Sequence, residues 1–558
     1  MRSDEVKRGL RRAPHRALLK ALGLDDERIG RPWIGIASSY SEVVPGHLHL
    51  RELVEQVKLG VEAAGGVGFE FNTIAICDGI AMGHAGMCAS LPSREVVADS
   101  VELMVRAHGF DGLVLVAGCD KIVPGMLMAA ARVDIPAVML TAGPMLPGWF
   151  EGGVVDLISV FEGVGKVRSG QESEQWLGEL EEAACPGVGS CAGMFTANTM
   201  ACIAEALGMA LPGGATAAAV SARRRRIAYM SGVAAVRAAL QGLRPSRVMT
   251  RAAFENAAMV DLALGGSTNT ALHLPAIAVE AGVEFTLEDM DALSRTTPHL
   301  CDMSPAGPMR MVHLDLAGGV GAVMKALGGR IHGDAMSVLG VEIASYMPEA
   351  VPEVRFFDQP VIHPADEPLH PEGGIAVLKG SLAPEGAVVK QTAVAPGLER
   401  FSGPARVFDR EEAAVEAVAQ GAVQPGEVIV VRYEGPAGGP GMREMLQLTA
   451  MISGGPLDGK VALVTDGRFS GGSRGVVVGH ACPEAARGGV LGLVVDGDPI
   501  VIDIPARRIE LEVDEAELAR RRAGWKPPVM EETGVLLRYS RMVGPASRGA
   551  VLEGARRS

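Results

Sequence analysis

The chain has 558 residues, of which 48% are hydrophobic, 21% charged and 4% aromatic. This length predicts more than one domain with a substantial core, since domains usually contain about 100 to 200 residues. A net charge of −14 would repel a phosphate backbone, and few aromatic side chains could stack on bases, so we expect no nucleic-acid partner. No apolar run reaches the ~18 residues that a membrane-spanning helix needs, so we expect no membrane association.

The N-terminus is charged and amphipathic and lacks the apolar core of a secretory signal peptide. We therefore expect a cytoplasmic protein. Eight cysteines are spread along the chain. In so long an intracellular chain they indicate buried, metal-bound or reactive thiols and not a disulfide framework.

From residue 33 to about residue 145, short apolar runs alternate with amphipathic stretches. This alternation predicts strands and helices that build a parallel α/β sheet. The apolar runs are short and continuous, as expected of strands buried on both faces. We predict these strands at residues 33–37, 73–77, 112–117 and 135–141.

Polar clusters lie at the ends of two predicted strands, at residues 77–79 (Cys-Asp-Gly) and 118–121 (Gly-Cys-Asp-Lys). Ligands of such sheets bind at the carboxyl ends of strands, so we expect the two clusters to converge. Cys119 could bind an iron–sulfur cluster, and Asp120 a cation that prefers oxygen ligands. Asp78 could join Asp120 at a magnesium site. Taken alone, each string has a simpler explanation than a metal site. Residues 118–121 fit a buried cysteine followed by a solvated turn, and Asp78 fits a helix cap.

A glycine-rich loop at residues 185–194 contains Cys185 and Cys191. Backbone amides of such a loop could hydrogen-bond to the sulfur atoms of an iron–sulfur cluster. Packing of both cysteines in the core is an equally good local explanation. The other cysteines at positions 88, 202, 301 and 482 have no comparable surroundings, and we predict that they are inert core residues.

Residues 350–373 contain five prolines, which disfavour both helix and central strand. We therefore predict a domain boundary near residue 365, which divides the chain into residues 1–365 and residues 366–558. Beyond the boundary, short apolar runs bounded by turn signals predict a β-rich domain. A last helix is predicted to begin at Asp514, which has the side chain of an N-cap residue.

Two loops of the β-rich half carry polar candidates. Glu444 follows a run of glycines that would let the backbone approach a ligand closely, although it could simply be a charge at a helix start. Ser470 lies in residues 465–472, where a glycine-rich turn after a strand could bind an anion through backbone amides. This turn resembles a phosphate-binding loop only loosely, because the lysine of that motif is missing.

Together, these strings resemble the dihydroxy-acid dehydratase family, whose relatives include the sugar-acid and phosphogluconate dehydratases. The resemblance covers nearly the whole chain, and so many matches in one order make it specific. The matching strings are residues 2–4, 13–16, 77–80, 118–121, 189–191, 265–270, 439–442 and 466–472.

The resemblance implies two metal sites. Cys119 and Cys191 would ligate an iron–sulfur cluster, and Asp78, Asp120 and Glu444 would ligate Mg²⁺. These assignments follow from the matching motifs, and the chemistry agrees with them, because iron–sulfur clusters bind thiolates and Mg²⁺ binds oxygen atoms.

The resemblance also implies roles for Lys121 and Ser470. Lys121 would be a carbamate, because a lysine ammonium beside a divalent cation would be repelled, whereas a carbamate is an anionic oxygen ligand. Ser470 would be the general base and would act as an alkoxide. A serine hydroxyl is a poor base at neutral pH, so nearby positive charge must lower its pKa.

The chain departs from the family at one position. The branch of the family that binds a 2Fe-2S cluster carries a third cysteine where this chain has Gly46. The chain is therefore more similar to the branch with an oxygen-labile 4Fe-4S cluster. For that cluster Cys185 is a candidate third ligand, because it shares a loop with Cys191.

The resemblance implies a hydro-lyase that converts a 2,3-dihydroxy carboxylic acid into the 2-oxo acid, most simply 2,3-dihydroxyisovalerate into 2-oxoisovalerate in valine and isoleucine biosynthesis. It implies a larger N-terminal α/β domain that bears both metal sites, a smaller barrel-like C-terminal domain that carries Glu444 and Ser470, and a homodimer. A sugar-acid dehydratase is the nearest alternative. A non-enzymatic iron–sulfur sensor or electron carrier is the second, but it would need no carboxylates and no serine.

Overall fold

A computed structural model describes residues 1–168, 170–453, 455–471, 473–529 and 532–553 of the chain. Gly472, the last residue of the matching string around Ser470, lies outside the described residues. Strands and helices alternate in the first 155 residues, helices predominate from residue 157 to residue 327, and strands predominate from residue 375 to residue 511. The predicted α/β class is therefore confirmed.

Four parallel strands form the N-terminal sheet: β1 (Trp33–Ser38), β2 (Val67–Asn72), β3 (Gly112–Ala117) and β4 (Ala137–Thr141). Their order across the sheet is β2-β1-β3-β4. β1, β3 and β4 are buried along their whole length, as expected of parallel strands that are covered on both faces. These three strands confirm three of the four predicted ones.

The prediction of a strand at residues 73–77 was wrong. The chain forms β2 at the edge of the sheet, where it pairs with β1, and then leaves the sheet without regular structure through residues 73–77. β2 alternates aromatic and polar side chains, with Glu70 between Phe69 and Phe71, which is the pattern of a half-exposed edge strand. Only Thr73 of this run is buried and Ile74 is 46% exposed, so the short apolar run did not mark a buried strand.

Helices cover this sheet, and α4, α7 and α11 contact it directly. No helix of the described residues is both long and apolar enough to cross a membrane. The helices of the N-terminal part are α1 (Asp4–Lys7), α2 (Ala13–Ala21), α3 (Asp26–Gly30), α4 (Leu50–Ala63), α5 (Asp78–Ala81), α6 (Ser90–His108), α7 (Ile122–Val133), α8 (Leu157–Arg168), α9 (Glu174–Ala184), α10 (Thr196–Ala206), α11 (Ala222–Gln241), α12 (Pro245–Val248), α13 (Arg251–Leu264), α14 (Thr270–Ala281), α15 (Leu287–Ser294), α16 (Met311–Leu316) and α17 (Gly319–Leu327).

Two hairpins precede the β-rich part, and the second of them lies inside the predicted linker. They are β5 (Gly148–Phe150) with β6 (Gly153–Val155), and β7 (Arg355–Phe356) with β8 (Gln359–Pro360). The strands that follow are β9 (Ile375–Leu378), β10 (Gly386–Lys390), β11 (Arg400–Phe408), β12 (Val428–Val431), β13 (Glu444–Met445), β14 (Ala462–Thr465), β15 (Arg468–Phe469), β16 (Val477–Cys482), β17 (Pro499–Asp503) and β18 (Arg508–Leu511). The helices among them are α18 (Glu411–Ala419), α19 (Gln447–Ser453), α20 (Glu515–Gly524) and α21 (Gly534–Met542).

The C-terminal sheet is mixed and has eight strands in the order β18-β17-β11-β12-β14-β16-β10-β9. Its two edges meet, because the Lys379 amide donates to the Arg507 carbonyl at 3.0 Å and the Ile509 amide donates to the Lys379 carbonyl at 3.1 Å. The sheet is thus nearly closed, which confirms the barrel-like prediction. After it, Asp514 caps α20 by accepting a hydrogen bond from the Glu517 amide at 2.8 Å, as predicted, but α20 is not the last helix, because α21 follows it.

The loop before β13 joins the two parts of the molecule. The Cys88 thiol, just before α6, donates to the Gly439 carbonyl at 3.2 Å. Gly441 has a φ of +85°, and a Cβ atom there would lie 2.2 Å from the Cys88 carbonyl oxygen. Glycine is therefore required at this crossing, and the close approach brings β13 against the N-terminal part.

Candidate functional site

The structure brings together polar residues from three separate elements. Asp78 is the first residue of α5, and residues 118–121 connect β3 to α7. Glu444 comes from the C-terminal part, on β13. The two clusters expected to converge do so, because the Lys121 ammonium donates to Asp78 Oδ2 at 2.7 Å.

Three carboxylates and one lysine form the centre of the site. Asp78, Asp120 and Glu444 each offer an oxygen atom, and these oxygens lie within 4.8 Å of one another. The Lys121 side chain is 1% exposed, and its Nζ lies 3.7 Å from Asp120 Oδ2 and 3.6 Å from Glu444 Oε2. All four side chains can therefore act on one small volume.

Three further residues orient these carboxylates, and the sequence motifs alone did not reveal their roles. Ser90 donates to Asp78 Oδ1 at 2.7 Å. The buried guanidinium of Arg468 pairs with Glu444 Oε2 and donates to Asn269 Oδ1 at 2.7 Å. Arg468 and Asn269 both belong to strings that match the family. Membership in those strings is the sequence signal from which the two residues could have been identified.

The charges at the site favour a bound cation. Burial raises the pKa of Asp120 to about 7, against the opposing effect of Lys121, and the carboxylates of Asp78 and Glu444 raise it further. Burial would raise the pKa of Asp78 as well, but Lys121 and the Arg468 guanidinium hold that pKa below its ordinary value. Three close carboxylate oxygens form a hard donor set, which fits Mg²⁺.

We predict that Glu444→Gln weakens Mg²⁺ binding at least about tenfold, because the substitution keeps the size of the side chain but removes an anionic oxygen. Isothermal titration calorimetry of the metal-free protein measures the effect. Glu62→Gln is a matched control, since Glu62 lies on α4 with a side chain 58% exposed. Equal Mg²⁺ affinity of Glu444→Gln and the unaltered protein would exclude Glu444 as a ligand.

A cavity of about 350 Å³ adjoins the carboxylates, and Cys77, Cys119, Cys185 and Cys191 all contribute to its wall. Cys119 is buried, Cys77 and Cys191 are half-buried, and Cys185 is exposed at the end of α9. Burial raises the pKa of both Cys119 and Cys191 well above the ordinary thiol value. A thiolate in this buried place needs a compensating positive charge. Several free thiols meet here, and this arrangement fits an iron–sulfur cluster, whose iron ions supply that charge.

A buried histidine holds the backbone beside Cys119. His47 Nε2 accepts hydrogen bonds from the amides of Gly118 at 3.2 Å and Cys119 at 2.9 Å, and its Nδ1 donates to the Ser39 carbonyl at 2.6 Å. Burial lowers the pKa of His47 to about 4, so the ring is neutral and can accept at Nε2. No local pattern indicates this role, because the bonded residues lie 71 and 72 positions apart.

Ser470 reaches the same cavity from the C-terminal part. β13 and β15 pair in parallel, with Glu444 opposite Arg468, and the Ser470 amide donates to the Met445 carbonyl at 3.1 Å. Glu444 and Ser470 are both part of the cavity wall. One pair of short strands therefore places the carboxylate and the serine side by side.

Another part of the cavity wall is apolar. The side chains there come from α5, from α8 and from the residue after β13, and they are Ile80, Leu157, Ile158, Phe161 and Leu446. The cavity wall therefore combines charged and thiol side chains with apolar ones. Such a lining suits a small acid that has both polar groups and hydrocarbon.

Two family models match the chain. The model described as dihydroxy-acid/6-phosphogluconate dehydratase N-terminal matches residues 31–346, and its C-terminal counterpart matches residues 360–550. The first covers the residues around Asp78, Asp120 and the thiols. The second covers Glu444 and Ser470.

Curated relatives match over the full length. A protein of Methanothermobacter thermautotrophicus is 56% identical over 553 residues, and proteins of Methanosarcina barkeri and Pyrococcus abyssi are each 55% identical over 553 residues. In each case the match covers 99% of this chain and 100% of the relative. All three relatives are named dihydroxy-acid dehydratase.

Proposed function

The chain belongs to the dihydroxy-acid/6-phosphogluconate dehydratase family, and from this premise we propose that it converts 2,3-dihydroxyisovalerate into 2-oxoisovalerate in valine and isoleucine biosynthesis. It is then an enzyme of the hydro-lyase type. The observation that carries the choice of substrate is the cavity, which joins the carboxylates and thiols to the apolar wall around Leu157 and Phe161. A methyl-branched acid matches both the charged and the apolar side chains of this wall, whereas a sugar acid would bring more hydroxyl groups to an apolar lining.

Two groups of side chains would hold the cofactors of this reaction. Cys119 and Cys191 would ligate an iron–sulfur cluster, and we favour 4Fe-4S over 2Fe-2S because Gly46 offers no third thiolate. Asp78, Asp120 and Glu444 would ligate Mg²⁺ with their convergent oxygens. The third thiolate would come from the same cavity, where Cys185 and Cys77 are the remaining cysteines among the described lining residues.

Lys121 would take part in the magnesium site as a carbamate. Carbamylation joins the lysine nitrogen to the carbon of CO₂ and, starting from the ammonium, releases two protons, so a cation becomes an anionic oxygen donor. The surroundings support this change, since Lys121 Nζ lies within 3.7 Å of three carboxylates that a divalent cation would draw together. An unmodified Lys121 ammonium would compete with Mg²⁺ for the same three carboxylates.

In the proposed reaction the protein removes one proton and releases one water. When bound, the magnesium ion would act as a Lewis acid toward the substrate carboxylate and C2 hydroxyl, and the cluster toward the departing C3 hydroxyl. As an alkoxide, Ser470 Oγ takes the proton from C2, the C3–O bond breaks, and the departing hydroxide takes up that proton from the Ser470 hydroxyl and leaves as water, which restores the alkoxide. The resulting enol tautomerises to the ketone, so no electrons are transferred overall.

The same scheme requires that Ser470 be ionised more readily than an ordinary serine. Glu444 lies on β13, which pairs with β15 just before Ser470, and both residues line the cavity. A cation bound to Glu444 would therefore favour the ionised form of Ser470. We further propose, from the family, a homodimer in the cytoplasm; the net charge of −14 supports the absence of a nucleic-acid partner.

We predict that the anaerobically purified protein prefers 2,3-dihydroxyisovalerate to pentonates and hexonates by about 10²-fold in kcat/KM, which is the discrimination that an apolar pocket can reach against added hydroxyl groups. Steady-state formation of the 2-oxo acids measures it. Preference for a pentonate or hexonate would identify a sugar-acid dehydratase instead. Turnover of neither class by protein with a full complement of iron and Mg²⁺ would favour the sensor or electron carrier.

A further inference from the structure

We propose that Cys77, and not Cys185, is the third thiolate ligand of the iron–sulfur cluster. This inference rests on the proposed function, since it concerns the cluster proposed there. Neither the motifs nor the family resemblance gave the Cys77 thiol a role, and this inference assigns one. The structure supports it in three independent ways.

The first support is the repetition of one dipeptide. Cys77-Asp78 and Cys119-Asp120 are both Cys-Asp pairs, and each lies between the sheet and the start of a helix, α5 or α7. Their carboxylates converge on Lys121 Nζ, at 2.7 Å from Asp78 and 3.7 Å from Asp120. The two cysteines are therefore attached to residues whose side chains already meet, and both face the same cavity.

The second support is the difference in exposure between the two candidate thiols. Cys77 is half-buried and directly precedes the buried Asp78 at the start of α5. Cys185 is exposed and follows the last residue of α9. Cys77 is therefore enclosed beside the carboxylates to a degree that Cys185 is not.

The third support comes from position 46. A Cβ atom at Gly46 would lie 3.0 Å from Cys119 Sγ, and a Cβ atom at Gly118 would lie 2.9 Å from the Gly46 carbonyl oxygen. The loop at Gly46 therefore lies against Cys119 but offers no side chain. A third thiolate must come from another part of the cavity wall, and Cys77 is placed there by the helix that carries Asp78.

Three thiolates from Cys77, Cys119 and Cys191 would leave one iron of a 4Fe-4S cluster without a cysteine. That iron would be open to a hydroxyl oxygen. Because Cys77 and Cys119 directly precede Asp78 and Asp120, the thiolates that would hold the cluster and the carboxylates that would hold Mg²⁺ line one cavity. One substrate in that cavity could then be activated by both groups.

The test compares iron content in single variants after anaerobic reconstitution. We expect Cys77→Ser to lose at least half of its iron and sulfide and to change its visible and Mössbauer spectra. We expect Cys185→Ser to match the unaltered protein. Cys482→Ala is the matched control, since its thiol contacts Glu385 and Ser547 and is not among the described lining residues of the cavity. Any other pattern of iron loss in the Cys77 and Cys185 variants overturns the assignment.

A second measurement needs no variant and so does not depend on folding of Cys77→Ser. Iodoacetamide labelling of the unaltered protein, followed by mass spectrometry, compares the cluster-loaded and cluster-free forms. We expect the cluster to slow labelling of Cys77 at least about tenfold and to leave exposed Cys185 unaffected. Equal labelling rates of Cys77 in the two forms would overturn the proposal.

Failure of the inference and failure of the proposed function are distinguishable. Iron content and labelling report on the ligand whatever the substrate is. A cluster-loaded protein that turns over neither class of acid would contradict the function and leave the ligand assignment intact. Full iron in Cys77→Ser with normal turnover of 2,3-dihydroxyisovalerate would contradict only the ligand assignment.

Discussion

Cys119→Ser and Cys191→Ser are each expected to lose the visible iron–sulfur absorption and essentially all dehydratase activity. A serine oxygen is a poor substitute for thiolate sulfur on iron. Both cysteines line the cavity next to the carboxylates, where the proposed cluster would bind. Absorption spectra, iron analysis and turnover on the anaerobically purified variants provide the measurement.

Two buried cysteines serve as controls for this prediction. Cys88 donates to the Gly439 carbonyl, and Cys482 contacts Glu385 and Ser547, so both thiols have structural partners elsewhere. Cys88→Ala and Cys482→Ala should retain the cluster. If Cys119→Ser and Cys191→Ser also kept a full complement of iron, the cluster would have to be placed on other residues.

Ser470→Ala is expected to keep the fold, the cluster and Mg²⁺ while losing about 10²- to 10⁴-fold in turnover, which is the usual cost of removing a general base. The structural cost should be small, roughly 0 to 1.5 kcal/mol in the free energy of unfolding if one hydrogen bond is lost. The amide of residue 470, which pairs with the Met445 carbonyl, is unchanged by the substitution. The two effects therefore differ enough in size to be separated.

Solvent deuterium exchange at C2 of the substrate, measured together with steady-state turnover, tests this role directly. Loss of both exchange and turnover with intact iron content supports Ser470 as the base. Turnover close to that of the unaltered protein would transfer the role to another group. His84 is the alternative by sequence, but its Nε2 bonds to the Ile80 carbonyl at 3.0 Å, and it is not among the described residues that line the cavity.

Much of the fold was predictable because it depends on local patterns. Strands buried on both faces leave continuous apolar runs, which identified β1, β3 and β4. The prediction failed at 73–77, where the apolar run is mostly half-exposed and Ile74 is 46% exposed, while the true edge strand β2 has a mixed pattern. A short apolar run therefore does not by itself identify a strand.

The sequence by itself determined which residue types carry the chemistry. The Cys-Asp pairs, the loop with Cys191, Glu444 and Ser470 stand in strings that are short, local and specific to one family. A thiolate suits iron and a carboxylate suits Mg²⁺ wherever the fold places them, so the class of reaction follows from these strings.

Only the tertiary structure decided which of these residues meet and what supports them. The Arg468–Asn269 hydrogen bond spans 199 positions, and the bond from the Cys119 amide to His47 spans 72. Such contacts depend on the order of strands in the sheets and on the parallel pairing of β13 with β15, which no local pattern encodes. For the same reason the sequence pointed only to Cys185, which shares a loop with Cys191, whereas the fold brings both Cys185 and Cys77 to the cavity.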